Sequence, residues 1–152
     1  MINSELKELY QQVILDHNRN PKNFGKIENH NHDAEGFNPL CGDHVHVYLH
    51  LDGDIITDIS FEGGGCAISK SSTSLMTAML KGKTIKEAEH IFERFHDMVT
   101  GKTAEDDDFE DLDKLAVFQG VREFPVRVKC ATLAWHTVIA ALKDEQAPVS
   151  TE

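Results

Sequence analysis

Positive charge is scarce in this 152-residue chain: fifteen lysines and arginines face 26 aspartates and glutamates, a net charge of −11. Such a surface repels phosphate backbones, which argues against a nucleic-acid partner and suits a soluble protein that docks on another protein. No apolar run reaches membrane-spanning length, so no membrane partner is expected. Met1–Tyr10 alternates charged and apolar residues, unlike a secretory signal. Cysteine is nearly absent too, with three residues in three separate places. An odd count cannot close a disulfide framework, and with no export signal it leads us to expect a reducing, cytoplasmic setting. Internal repeats and low-complexity segments are also lacking.

What is present reads as a single domain over residues 1–152, with an ordinary 40% of apolar residues. Leu6, Leu9, Tyr10, Val13 and Ile14 recur at helical spacing, with Ser4 placed to cap, which predicts a helix over roughly 5–17. Asn18 to Pro39 is rich in Asn, His, Gly and Pro without periodicity and reads as a long loop leading to Cys41. Val45, Val47, Leu49 and Leu51 then alternate with His44, His46, Tyr48 and His50. Asp52-Gly53 makes a turn, and Ile55, Thr57, Ile59 and Phe61 return, so the segment predicts a hairpin. A helix is predicted over Ala67–Lys81, with Cys66 in its first turn and Gly82 at its stop. Thr84-Ile85-Lys86-Glu87 has the capping-box pattern and opens the next helix, which Gly101 ends. Ala104–Asp113 carries seven carboxylates and reads as a solvated connection with short helical turns, pinned by Leu112, Leu115 and Phe118. A last helix is predicted over about Cys130–Lys143, followed by a polar tail at about 146–152. The fold class is α+β: a small antiparallel sheet, the hairpin plus a candidate third strand, packed against several helices.

The chemistry gathers at the cysteines. Three thiols with Asp43, two residues after Cys41, make the ligand count of a tetrahedral metal site; a reactive thiol with companions is the other reading. Pro39 and Gly42 place Cys41 in a turn, Gly63-Gly64-Gly65 puts Cys66 at a helix start, and Cys130 is expected at another. The extended approach to Cys130 carries Arg127 and Lys129, whose charges would favour thiolate. Three thiolates and a carboxylate outweigh the charge of a divalent ion, so one ligand is comparatively easy to displace. His44, His46 and His50 form an alternating row that could in principle bind metal, although such a row is more often the solvent-facing or helix-covered side of a hairpin. Ser69, Ser71, Ser72 and Ser74 have no base near them in sequence and read as polar helix surface, and Trp135 as packing.

Cys41-Gly42-Asp43, Gly65-Cys66-Ala67-Ile68-Ser69 followed by Ser71-Ser72, and Cys130-Ala131-Thr132-Leu133-Ala134-Trp135 together resemble the IscU/NifU-N family of iron–sulfur cluster assembly proteins. Leu9-Tyr10 through Asp16-His17 and Asn20-Pro21-Lys22-Asn23 are similar to it as well, so the likeness runs from residue 4 to about 143. Within that family the SufU branch is the more similar. Lys129 stands where the scaffold branch has a histidine, Phe124-Pro125-Val126-Arg127-Val128-Lys129 departs from that branch's Leu-Pro-Pro-Val-Lys segment, and the acidic stretch resembles the SufU insertion. The resemblance implies a zinc-dependent sulfurtransferase partnered with a SufS-like cysteine desulfurase and supplying a downstream iron–sulfur scaffold. It implies Zn2+ on Cys41, Asp43, Cys66 and Cys130, with Cys41 as the catalytic sulfur acceptor and Lys129 and Arg127 as supporting charge. Cys41, at the end of a mobile loop, is expected to leave the ion when the desulfurase docks. The alternative is a scaffold holding a transient iron–sulfur cluster on the same ligands. A thiol redox switch is disfavoured by the lack of a close cysteine pair.

Overall fold

The hairpin that the alternation predicts forms the middle of a four-stranded sheet. In the computed structural model, which describes residues 4–144 and 148–150, the elements run α1 (Ser4–Arg19), β1 (His32–Asn38), β2 (Asp43–Asp52), β3 (Ile55–Gly64), α2 (Ala67–Leu80), α3 (Ile85–Thr100), a kinked 3-10 segment (Glu110–Glu123), α4 (Pro125–Leu142) and β4 (Val149–Ser150). The sheet order is β3-β2-β1-β4, antiparallel except for the short parallel β1–β4 pairing. The side chain of Ser4, the expected cap, lies outside the described residues, as do 145–147 and 151–152 of the C-terminal stretch.

The third strand comes from the stretch read as loop. Residues 32–38 alternate with period two, but the inward positions are Ala34, Gly36 and Asn38, while Phe37 faces out. Small and polar residues inside, with the aromatic outside, invert the usual strand signal. Packing requires the smallness: a Cβ at Gly36 would stand 2.1 Å from Thr137 Oγ1 on α4. So α4 lies directly against β1.

The helices follow their caps. Thr84 and Glu87 form the expected capping box, and Gly101 closes α3 in the left-handed conformation (φ 77°). Trp135 is fully buried, stacked on Phe95 at 4.8 Å, and Phe95 meets Phe118 edge-on.

One expectation is corrected. Ser69, Ser71, Ser72 and Ser74 are buried, not surface. Ser71 bonds back to Ala67 O at 2.6 Å, Ser72 reaches across to Ala131 O at 2.6 Å, and Ser74 accepts the Lys22 N–H at 2.7 Å, so these hydroxyls are paired within the core. The acidic stretch is the solvated connection expected, with short helical turns and with Leu112, Leu115 and Phe118 buried as its pins. Arg94 of α3 gathers Asp107 and Asp111, while Phe109, Leu112, Leu115 and Phe118 are buried beneath them.

Candidate metal centre

Three elements end at one edge of the sheet. Cys41 sits in the four-residue turn 39–42 between β1 and β2, with its N–H bonded to Asn38 O at 3.2 Å, so it belongs to a tight hairpin and not to the end of a long loop. Asp43, the first residue of β2, points inward and is 1% exposed. Cys66 is the N-cap of α2, its Sγ accepting the Ser69 N–H at 3.4 Å. Cys130 lies one and a half turns into α4, which begins at Pro125, and it is buried.

This placement corrects the expectation of an extended, charged approach to a helix starting at Cys130. The proline at the first helical position was the available signal for the true start. Arg127 and Lys129 are therefore helical, and the Arg127 guanidinium lies over the Phe124 ring, 4.4 Å from its centroid. The Cys130 thiol is not favoured as thiolate by its surroundings. Burial pushes its pKa well above the ordinary range, and Asp43, Cys41 and Cys66, all facing it, push the same way.

The donors converge. Atoms of Cys41, Asp43 and Cys130 lie within 4.8 Å of one another, and Cys41 Sγ and Cys130 Sγ are 3.4 Å apart. The close cysteine pair absent from the sequence is thus present in space. Cys66 stands at the rim of this trio, its Sγ 3.9 Å from Asp43 Oδ2 and its N–H donating to Asp43 Oδ1 at 2.9 Å. Gly65 makes that approach possible. It has φ +150°, and a Cβ there would fall 2.2 Å from Asp43 Oδ1. Asn38 was not anticipated. Fully buried and paired across from Asp43, it donates from Nδ2 towards Cys130 Sγ at 3.8 Å and accepts the Leu40 N–H at 3.2 Å. Its place before Pro39 marked a turn, not a second role.

The chemistry of this donor set calls for a cation. Asp43 is a buried carboxylate that accepts the Cys66 N–H and otherwise faces three thiols. Three sulfurs and one oxygen suit a tetrahedral, thiophilic divalent ion. The alternating histidines are elsewhere, on the outer face of the sheet. Arg127 and Lys129 sit one turn or less before Cys130 on α4.

Residues 9–131 match the NifU-like N-terminal domain. The chain is 44% identical to the zinc-dependent sulfurtransferase SufU of Bacillus subtilis, over 95% of its length and 96% of the relative's. It is 37% identical to the iron–sulfur cluster assembly scaffold protein IscU of Streptococcus pyogenes, over 92% and 86% of the two chains. Among solved structures, a protein of Fervidobacterium islandicum AW-1, named as an iron–sulfur cluster assembly scaffold for the SUF system, superposes with a TM-score of 0.81 at 40% identity, covering 92% of this chain and 99% of that one.

Proposed function

The chain belongs to the NifU-like N-terminal domain family, and on that footing we propose that it is a zinc-dependent sulfurtransferase, taking persulfide sulfur onto Cys41 from a SufS-like cysteine desulfurase for iron–sulfur cluster assembly. The observation that carries the proposal is the meeting of Cys41, Asp43 and Cys130, with Cys66 at the rim. Zinc would be held by Cys41, Asp43, Cys66 and Cys130, and when bound it supplies a redox-inert charge that keeps buried thiols deprotonated.

The remaining roles fall to the chain's own residues. Cys66 is tied into the α2 cap and Cys130 is buried in α4, whereas Cys41 rides on a surface turn beside Leu40, which is 64% exposed. Its place on that turn supports Cys41 as the thiol that a docked enzyme engages. Its thiolate attacks the outer sulfur of the desulfurase persulfide. The donor S–S bond breaks as a new one forms on Cys41, and the donor departs as a thiolate, so no outside oxidant or reductant is consumed. Asn38 holds the turn by its bond to Leu40, and Lys129 and Arg127 supply positive charge on the approach.

The test is transfer of labelled sulfur from a purified desulfurase, with and without a chelator. Label should reach the wild type, fall when metal is removed, and be absent from Cys41→Ala. Full labelling of Cys41→Ala would overturn the assignment. The scaffold names of the Streptococcus and Fervidobacterium relatives favour a second reading, a cluster held on the same four donors. Freshly purified protein discriminates the two: tight, colourless zinc for the first, a coloured, oxygen-labile cluster for the second.

A further inference from the structure

The strand absent from the sequence pattern brings a second group of donors together, on the opposite face of the sheet. Because β1 pairs with β2, Glu35 lies directly across from His46, Phe37 from His44 and Asp33 from Tyr48. His46 is thereby set between two carboxylates: its Nε2 is 2.6 Å from Asp33 Oδ2, and its Nδ1 is 3.2 Å from Glu35 Oε1. The other oxygen of Glu35 is 3.9 Å from His44 Nε2. The His46 ring is stacked on Tyr48 at 4.3 Å, and the Tyr48 hydroxyl is anchored on Glu62 at 2.6 Å, so the plane of the imidazole is fixed. The third histidine of the row takes no part, since His50 Nδ1 is bonded to Thr57 Oγ1 at 2.8 Å.

We propose that Glu35, His44 and His46 form a second metal site, oriented by Asp33, that takes a divalent first-row transition-metal ion. In its neutral form the imidazole carries a single N–H and donates to one carboxylate only, whereas a doubly protonated ring would pair with both and need no ion, the case that an absence of metal uptake would report. An ion on Nδ1, shared with Glu35, together with the proton on Nε2, shared with Asp33, satisfies both ring nitrogens. This is the carboxylate–histidine–metal arrangement that fixes tautomer and ring orientation at metal centres. Two imidazoles and a carboxylate suit nickel, copper, zinc or ferrous iron, not magnesium or calcium, and leave coordination positions open for water. Solvent reaches the group, since the His44 side chain is 55% exposed, and the proposal requires its ring to turn towards the ion shared by Glu35 and His46. The net charge of −11 draws cations towards the surface in general.

The site is separate from the thiol centre although they adjoin in sequence. Asp43 and His44 are neighbours in β2, so their side chains leave opposite faces of the sheet. The two share a strand and no donor, and their preferences differ, thiolates for soft ions and the outer group for borderline ones. An ion on the outer face would clamp β1 to β2 beside the turn that carries Cys41.

The test starts from tag-free protein whose thiol centre has been saturated with zinc. Ni2+ is added at equilibrium dialysis, and bound nickel and released zinc are measured in the same samples. The expected result is one nickel per chain beyond the zinc, no zinc release, and no competition from Mg2+. His44→Ala and Glu35→Gln should lose this uptake, and Asp33→Asn should weaken it by about 10–100-fold, the usual loss for an orienting carboxylate. Nickel taken up only in step with zinc release, uptake undiminished in His44→Ala, or no uptake at all would overturn the proposal. Ni2+ should also shift or broaden the His44 and His46 ring resonances in the wild type, a readout that needs no variant; unaffected rings would count against the site. The difference between wild type and His44→Ala reports the outer group whatever occupies the thiols, so its failure leaves the sulfurtransferase proposal standing.

Discussion

Two regions of the molecule crowd acidic groups together and deal with them in opposite ways. Beside α3, Arg94 reaches between Asp107 and Asp111 with four hydrogen bonds of 2.7–3.2 Å, and its guanidinium holds both carboxyls below the usual carboxylate range. At the sheet edge, Asp43 is buried against three thiols, and the Cys130 thiol is pushed up instead. The first region carries its own cation and holds a loop in place. The second, as we propose, takes its cation from outside, and the sulfur chemistry depends on that difference.

The comparison breaks most severely at Gly65. Gly65→Ala forces a Cβ to within 2.2 Å of Asp43 Oδ1 on a backbone that favours glycine, so Asp43 must move off the thiols. The variant should lose metal binding and at least the roughly 1–3 kcal/mol of a strained backbone conformation; metal content and denaturant unfolding check both. Wild-type metal content in Gly65→Ala would show that the carboxylate position is unimportant.

A smaller effect is expected where α2 and α4, the helices bearing Cys66 and Cys130, are linked. Ser72 Oγ donates to Ala131 O and accepts the Trp135 indole N–H at 3.3 Å. Ser72→Ala leaves that indole unpaired in the core, for a cost of about 1–3 kcal/mol by chemical denaturation, with zinc stoichiometry retained.

The smallest effect belongs to Arg94→Met, which removes the internal cation from the first region only. It should lower the melting temperature slightly at neutral pH and leave sulfur transfer unchanged, since exposed pairs contribute little. The sign with pH is fixed by the carboxylates. Asp107 and Asp111 have folded pKa values below the ordinary carboxylate value, so their contribution is present above that value and is lost as pH falls through the lower folded ones. Wild-type and Arg94→Met melting temperatures should therefore converge in acid. A gap that widens there would contradict the assignment.

How far the fold could be read ahead of the structure depends on where each signal resides. The β2–β3 hairpin and α3 were legible because alternation and capping boxes are local patterns. β1 was not, because its inward residues were chosen for closeness to α4 and not for hydrophobicity, and Gly36 is the extreme case. The α2 serines misled for a related reason: a hydroxyl that bonds its own helix, as in Ser71, or a neighbouring one, as in Ser72, buries as readily as a small apolar group. Of the candidate centre, residue types and the Cys-x-Asp spacing were visible. The 3.4 Å separation of Cys41 from Cys130 and the support from Asn38 were not, since both depend on β1.

The account turns on Cys41, Asp43, Cys66 and Cys130 sharing one ion, and X-ray absorption fine structure at the zinc edge of purified protein reads that directly. Three sulfur neighbours at about 2.3 Å and one oxygen at about 2.0–2.2 Å are predicted, with the oxygen shell altered in Asp43→Ala. A shell with fewer than three sulfurs, or one unchanged by Asp43→Ala, would contradict it.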